Sequence, residues 1–260
     1  MRILLIDTCG ATGSVAIADT ACEPAIVAFA SLPGRTASER LVPTIKQLVS
    51  GSETNLQSAG NLPSLEAVVV VHGPGSFTGV RVGLSAAKGL CDALALPLIA
   101  ISRLAVLASL AQVASLAQGS LSTPVRALLD AGRGEFYSGV YVDGVCQREA
   151  LLTREELLAE AVRPNKGDPL QIVVVCETSV AASVAVLAPQ LVAEPTSAEA
   201  LPLALDHIQR RAFDDVALID ANYLRRTDAE IFAKPTAHAV ASHQSVVIQS
   251  IGNQTETPAR

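Results

Sequence analysis

The chain has 260 residues, of which half are hydrophobic and only 3% aromatic, and its formal net charge is −6. A core of Ala, Val, Leu and Ile is typical of parallel sheets covered by helices, so the composition indicates an α/β protein. The acidic balance argues against a protein that holds RNA by itself, because phosphate binding needs clustered Lys and Arg. Five scattered cysteines without a Cys-x-x-Cys pair favour a reducing cytoplasm over a disulfide framework.

No stretch of the sequence is expected to be a signal peptide or to cross a membrane. The N-terminal apolar run reaches Asp7 too soon for a signal-peptide core. A second uncharged stretch has a dense apolar part, Leu104–Ala117, whose length suits a buried helix. We therefore expect a cytoplasmic protein that makes no membrane contact.

The first half of the chain predicts three strands followed by alternating helices and strands. Turn-rich breaks separate the three strands, and Thr36 with Glu39 forms a capping box before the first helix. The order is β-β-β-α-β-α-β-α, with strands at Arg2–Asp7, Ser14–Ala18, Ala25–Leu32, Ala67–Val71 and Pro97–Ile101 and helices at Ala37–Ser50, Gly79–Ala95 and Arg103–Gln118.

The second half predicts the same order of elements. Asp143-Gly144 is a hairpin turn between two strands, and Thr153 with Glu156 forms another capping box. The strands are predicted at Val125–Asp130, Phe136–Val142, Val145–Leu152, Gln171–Cys176 and Leu191–Ala193, and the helices after Thr153, near Thr178–Leu187 and from Thr196.

The two halves also share a turn. In each, the first strand ends in Asp and a run of small residues, Asp7-Thr8-Cys9-Gly10 and Asp130-Ala131-Gly132-Arg133. This agreement indicates a divergent internal duplication. Two facing β-β-β-α-β-α-β-α units describe the actin-like, ribonuclease-H-like (ASKHA) architecture, so we expect an N-terminal half at 1–102, a C-terminal half at 103–227 and a largely irregular tail at 228–260.

The most distinctive segment is a glycine-rich turn, residues 72–83, between a buried strand and a helix start. Its sequence is HGPGSFTGVRVG. Free amides at a helix N-terminus could bind an anion, but the segment lacks the P-loop lysine and the Rossmann spacing. We favour a packing role, because Gly79, Gly83 and Ala87 fall four apart and share one helix face.

This segment, together with Ala86-Ala87-Lys88-Gly89-Leu90, resembles the most characteristic block of the TsaB family, also called YeaZ. Further blocks occur in the order that the family shows, namely Ile6-Asp7-Thr8, Ser38–Pro43, Asp130–Tyr137 and Asn222–Arg226, and the resemblance covers roughly residues 1–235. The family is a paralogue of TsaD, the metal-dependent subunit that transfers threonylcarbamoyl to an adenosine beside the anticodon of tRNA.

The sequence departs from TsaD at the metal site. TsaD has a His-x-x-x-His pair after the strand equivalent to Pro97–Ile101, and here those positions hold Arg103 and Leu107. Neither side chain supplies the neutral imidazole nitrogen that such a metal needs. We therefore expect no catalytic residue, no metal and no cofactor. The four histidines, His72, His207, His238 and His243, are interpreted as structural or solvated.

The resemblance implies a non-catalytic scaffold that pairs with a TsaD-like subunit and works with a TsaE-like ATPase. It implies tRNA contact only through the complex, and it leaves open whether the free protein is a homodimer. It also places the partner surface on the first two helices, at Ser38, Leu41, Ile45, Leu48, Gly79, Arg81, Gly83, Ala87 and Leu90. In the alternative interpretation, the small and apolar rows on these helices face the sheet.

Two enzymatic alternatives remain. An actin-fold ATPase or small-molecule kinase would use Asp7, Thr8 and Asp130 to hold a metal–nucleotide complex, whereas the simpler interpretation is that each Asp caps its own turn. A peptidase would use Ser76 as nucleophile beside His72. The surrounding residues do not form the Gly-x-Ser-x-Gly elbow, which argues against that class.

Overall fold

A computed structural model describes residues 1–33, 36–51, 65–116, 123–162 and 171–224. Within these ranges the chain forms two five-stranded sheets. The first has the spatial order β3-β2-β1-β4-β5 and contains β1 (Arg2–Asp7), β2 (Gly13–Asp19), β3 (Ile26–Leu32), β4 (Ala67–Val71) and β5 (Leu98–Ile101). The second has the order β8-β7-β6-β9-β10 and contains β6 (Val125–Gly132), β7 (Glu135–Val142), β8 (Val145–Thr153), β9 (Ile172–Val175) and β10 (Gln190–Leu191).

The two sheets have the same topology. In each, the first three strands form an antiparallel meander, and the fourth strand lies parallel to the first and pairs with the fifth. The central pairing of the first sheet runs in register from Ile3 opposite Ala67 to Asp7 opposite Val71. The predicted duplicated α/β order is confirmed.

In the described ranges, six helices connect and cover the sheets: α1 (Ala37–Gly51), α2 (Phe77–Leu94), α3 (Arg103–Leu116), α4 (Arg154–Val162), α5 (Thr178–Ser183) and α6 (Leu201–Gln209). Two predicted helices are divided. The helix predicted near Thr178–Leu187 is α5 followed by a 3-10 turn at Ala185–Leu187. The helix predicted from Thr196 begins as a 3-10 helix, Ser197–Ala200, and continues as α6.

Local sequence signals explain several of these boundaries. The amide of Glu156 donates to Thr153 Oγ1 at 3.2 Å and the amide of Thr153 donates to Glu156 Oε2 at 2.8 Å, so the predicted capping box is confirmed. Asp143 and Gly144 both have positive φ, as a two-residue hairpin turn requires. Before α1, the hydroxyl of Thr36 donates to Pro33 O.

The central strands are buried on both faces. Every residue from Ile3 to Asp7 and from Ala67 to Val71 is buried, which explains their uninterrupted apolar sequence. Each sheet is also covered by helices that follow the other sheet in sequence. Helix α3 packs against β6, β7 and β9, whereas Ser197–Ala200 and α6 pack back against the first sheet.

The two sheets and their helices lie within one compact unit, Met1–Arg225. The predicted boundaries at 102/103 and 227/228 stay predictions, and the predicted tail at 228–260 lies outside the described residues. Within the described ranges, no helix has the length and apolar character that a membrane span requires.

Candidate functional site in the cleft between the sheets

A cleft of about 660 Å³ is lined by residues from both halves of the chain. The first half contributes the turn after β1, which includes Thr8 and Gly10, and the start of α2. The second half contributes Asp130 at the end of β6, Glu177 before α5 and Glu194 after β10. The structure therefore brings both duplicated turns to one place, as the repeat predicts.

The first turn is held by its own aspartate. Asp7 is 2% exposed, and its Oδ1 accepts a hydrogen bond from the amide of Cys9 at 2.8 Å. Burial raises the pKa of Asp7, although Arg103 and the Cys9 amide oppose that shift. Thr8, which is 3% exposed, donates its hydroxyl to Gly79 O at 2.6 Å and so fixes the turn to α2.

The second turn repeats the same contact. Oδ1 of Asp130 accepts a hydrogen bond from the amide of Gly132 at 2.8 Å, two residues further along the chain. Arg133 and Gly134 then form a two-residue turn in which both residues have positive φ. Both aspartates therefore cap their own turns, which is the simpler of the two roles that the sequence suggested.

The glycine-rich turn packs against the first turn. Ser76 caps α2, because its Oγ accepts a hydrogen bond from the amide of Gly79 at 3.3 Å. A Cβ added at Gly75 would lie 2.4 Å from Cys9 O, and one at Gly79 would lie 2.0 Å from Thr8 O. These glycines are needed for close backbone approach, which confirms the predicted packing role.

Arg103 lines the cleft, and it is the first of the two residues that the resemblance matches to the histidine pair of TsaD. The residue is 6% exposed, and its Nη2 lies 2.7 Å from Glu194 Oε1. Burial lowers the pKa of Arg103, but Asp7, nearby thiols and Glu194 raise it by more, so the net shift is upward. The second position, Leu107, is fully buried in the core between α3 and the second sheet.

The other candidate catalytic groups do not meet in the cleft, because Ser76 lines it but His72 and His207 do not. Nδ1 of His72 lies 3.2 Å from Asp220 O, and Ser76 is occupied as the cap of α2. His207 is half-buried on α6, and His238 and His243 lie outside the described residues. Among the residues that the structure describes, no three His, Cys, Asp or Glu side chains are grouped so that they could hold a metal ion.

The charge of the cleft is mainly negative. Asp130, Glu177 and Glu194 line it, and the buried Asp7 precedes the lining residue Thr8 in the chain. Arg103 is the one cationic side chain among the described lining residues. A metal–nucleotide complex carries net negative charge, so this wall offers it little electrostatic attraction. The arrangement favours an interior ion pair over a phosphate site.

The structure corrects part of the predicted partner surface. Leu41, Ile45, Gly83 and Ala87 are buried in the core of the first sheet, so they are not available to a partner. A Cβ added at Gly83 would lie 2.4 Å from Thr8 Oγ1, which shows that this face of α2 packs on the chain's own first turn. Of the remaining predicted residues, Ser38 and Arg81 are exposed and Leu48, Gly79 and Leu90 are half-buried. That α1 and α2 bind a partner stays a prediction.

Sequence reasoning did not identify an aromatic cluster at the start of α2. The guanidinium carbon of Arg81 lies 3.4 Å from the centroid of the Phe77 ring and 5.3 Å from that of Tyr223. Phe77 is 55% exposed and Tyr223 is 41% exposed. Both residues belong to sequence blocks that supported the family resemblance, but nothing in their spacing indicated that they meet.

A second missed feature is the carboxylate of Glu149 on β8. It accepts hydrogen bonds from the hydroxyls of Ser102 and Tyr141, and from Asn222 Nδ2 at 2.6 Å. Ser102 follows the last strand of the first sheet, and Tyr141 belongs to the second sheet. The backbone amide of Asn222 also donates to His72 O at 2.8 Å. Glu149 therefore joins both halves through one side chain.

Comparison with known proteins shows which proteins this chain is similar to. Residues 31–230 match the family model described as TsaD, tRNA N6-adenosine threonylcarbamoyltransferase. The chain is 36% identical over 141 residues to the tRNA threonylcarbamoyladenosine biosynthesis protein TsaB of Escherichia coli and 32% identical over 141 residues to that of Bacillus subtilis. Each match covers 54% of this chain and 55% of the relative, so the chain spans about half the length of these curated relatives.

The solved structure titled YeaZ from Pseudomonas aeruginosa is 28% identical in sequence and superposes with a TM-score of 0.64. The superposition covers 86% of this chain and 99% of that structure. The family model, the curated relatives and the shared fold lead to one assignment. The chain belongs to the TsaB/YeaZ family, within the wider family that the TsaD model describes.

Proposed function

We propose that this chain is a non-catalytic subunit in the synthesis of threonylcarbamoyladenosine in tRNA. It would pair with a TsaD-like subunit and act together with a TsaE-like ATPase in the cytoplasm. The matched relatives from E. coli and B. subtilis are named as biosynthesis proteins of this modification, which supports the pathway. The five free cysteines agree with a reducing compartment.

The observation that supports the non-catalytic role is that neither Arg103 nor Leu107 can serve as a metal ligand. A metal-dependent transferase of this family needs imidazole ligands at these two positions. Here Arg103 forms an ion pair with Glu194, and Leu107 is buried in the hydrophobic core. A positively charged guanidinium repels a divalent cation, and a leucine has no ligand atom. The transfer chemistry would therefore belong to the partner.

The partner surface is proposed on the outward faces of α1 and α2, which contact each other. Val42 on α1 is 49% exposed, and Phe77 on α2 is 55% exposed beside Arg81 and Tyr223. Exposed Phe, Tyr and Arg side chains are the types enriched at protein interfaces. A guanidinium already stacked on an aromatic ring also loses little freedom on association.

A titration against the TsaD-like subunit of the same organism tests this proposal. Val42→Asp and Phe77→Ala should each weaken the complex by about tenfold or more, because each removes exposed apolar area from the proposed surface. Val186→Asp is the matched control, since Val186 is 70% exposed on the 3-10 turn after α5 and should leave affinity within about twofold.

Two results would count against the proposal. If both α1 and α2 variants bind like the wild type, the surface lies elsewhere. If the wild-type chain forms no complex with the TsaD-like subunit, the accessory role itself is wrong.

A further inference from the structure

The chain crosses between its two sheets at two places, and these crossings meet in the cleft. The first crossing lies between β5 of the first sheet and α3, which packs on the second sheet. The second lies between β10 of the second sheet and Ser197–Ala200, which packs on the first sheet. Any change in the angle between the sheets must bend these two segments.

One ion pair joins the two crossings. Arg103 begins α3 at the first crossing, and Glu194 lies within the second. Nη2 of Arg103 lies 2.7 Å from Glu194 Oε1, and the two side chains are 7% and 40% exposed. The partners are 91 residues apart in sequence, so the contact fixes a long-range arrangement.

The surrounding backbone holds this pair tightly. The amide of Arg103 donates to Gly73 O at 2.7 Å, and the amide of Ser197 donates to Ser14 Oγ at 2.8 Å. A Cβ added at Gly10 would lie 2.3 Å from Glu194 Oε1 and 2.4 Å from Arg103 Nη2, so the pair fills the space beside the first turn. A side chain at position 10 would therefore have to displace the ends of both side chains of the pair.

The charge of Arg103 also offsets the acidic groups around it. Asp7 lies close enough to affect Arg103 electrostatically, and the lining carboxylates of Asp130 and Glu177 are nearby in the same cleft. Arg103 Nε is buried and has no hydrogen-bond partner among the described residues, so the guanidinium is held mainly by Glu194 and by the field of Asp7. Arg103 thus places one fixed positive charge in an otherwise acidic cleft.

We propose that Arg103 is a positioning residue that clasps the two crossings through its ion pair with Glu194. The relative position of the sheets is then set by the protein itself and does not depend on a cleft ligand. This inference concerns the cleft alone and holds whether or not the chain binds the proposed partner.

Native-state hydrogen exchange on the full chain tests the clasp, because it measures local opening at each segment. In Arg103→Met, the backbone amides of the two crossings, residues 102–106 and 192–197, should exchange about tenfold faster, while those of β1 and β4 stay within about twofold. Glu194→Gln removes one charge at a half-exposed position, so it should fold and should raise exchange in the same two segments by a smaller factor.

Glu160→Gln is the matched control, since Glu160 pairs with the buried Arg126 at 3.1 Å within the second half. It should raise exchange near α4 and β6 but leave both crossings unchanged. The clasp is refuted if folded Arg103→Met and Glu194→Gln leave the crossings as protected as in the wild type, or if exchange rises equally throughout the chain.

A second arm adds magnesium and ATP to the wild-type chain. The clasp predicts no change in the protection of either crossing, because the ion pair of Arg103 and Glu194 already joins them. A marked gain in protection at both crossings would show that a bound ligand, and not Arg103, sets the arrangement of the sheets.

Discussion

Two glycines on α2 should respond to the same substitution with opposite signs. Gly83 faces Thr8, and a Cβ there would lie 2.4 Å from Thr8 Oγ1. Gly89 is exposed on the same helix, and a Cβ there would meet nothing within 4 Å. Alanine at Gly83 must therefore displace a buried side chain, whereas alanine at Gly89 changes only the helix itself.

The magnitudes follow from the contacts. Gly→Ala inside a helix gains about 1 kcal/mol from propensity at either position. At Gly83, overpacking costs about 2 kcal/mol, and moving Thr8 breaks its 2.6 Å hydrogen bond to Gly79 O at a further cost of about 1 kcal/mol. We expect Gly83→Ala to lose about 2 kcal/mol and Gly89→Ala to gain about 1 kcal/mol.

Thermal unfolding of the two variants measures this difference. For a unit of this size, Tm should fall by about 4–8 °C in Gly83→Ala and rise by about 2–4 °C in Gly89→Ala. If Gly83→Ala is stabilised as much as Gly89→Ala, then Gly83 does not pack on Thr8 and the assignment of this face to the core is wrong.

Three further predictions concern charge. Glu160→Gln should lower the free energy of unfolding by about 2–3 kcal/mol, because it leaves the buried Arg126 without its ion-pair partner. Arg148→Met removes an exposed partner of the same Glu160 and should lower it by less than about 1 kcal/mol. Denaturant unfolding measures both losses, and equal losses would contradict this ranking. Asp7→Asn keeps the acceptor for the Cys9 amide but removes a carboxyl whose pKa is raised by burial. Wild-type stability should therefore fall relative to the variant as pH rises above about 4, and a difference that is constant with pH would refute the shift. The isolated chain has a net charge of −6 and should bind tRNA with a Kd no lower than about 1 µM at physiological salt, as measured by filter binding. A submicromolar Kd would contradict this and would require a concentrated basic surface.

Much of the fold could be predicted because its signals are local. Uninterrupted valines predicted the buried β4, and Asp143-Gly144 predicted the turn between β7 and β8. The matching Asp turns after β1 and in β6 indicated the duplication. In the structure, each Asp accepts a hydrogen bond from the amide two residues further along the chain. Such features need only a few neighbouring residues to be recognised.

The face that each helix presents was harder to assign. The spacing of Gly79, Gly83 and Ala87 shows that they share a face, but a row of small residues suits a sheet or a partner helix equally well. The same holds for Leu41 and Ile45 on α1. Periodicity identifies the face, and only tertiary structure identifies its neighbour, which here is the first sheet.

The polar contacts of the site could not be predicted for a related reason. Arg103 and Glu194 are 91 residues apart, and Glu149 is 73 residues from Asn222. No local pattern links such partners, because the fold alone brings them together. The sequence distinguished position 103 only by its difference from the expected TsaD histidine, and it did not predict the ion pair of Arg103 with Glu194.

The proposed role of this chain is to support threonylcarbamoyl transfer without catalysing it. The most direct measurement is formation of threonylcarbamoyladenosine in tRNA by the TsaD-like and TsaE-like subunits of the same organism, with and without this chain. The account predicts that the complete set modifies tRNA, that omitting the chain abolishes the modification, and that the chain alone has no activity. Modification of tRNA by the chain alone, or unchanged modification in its absence, would contradict the account.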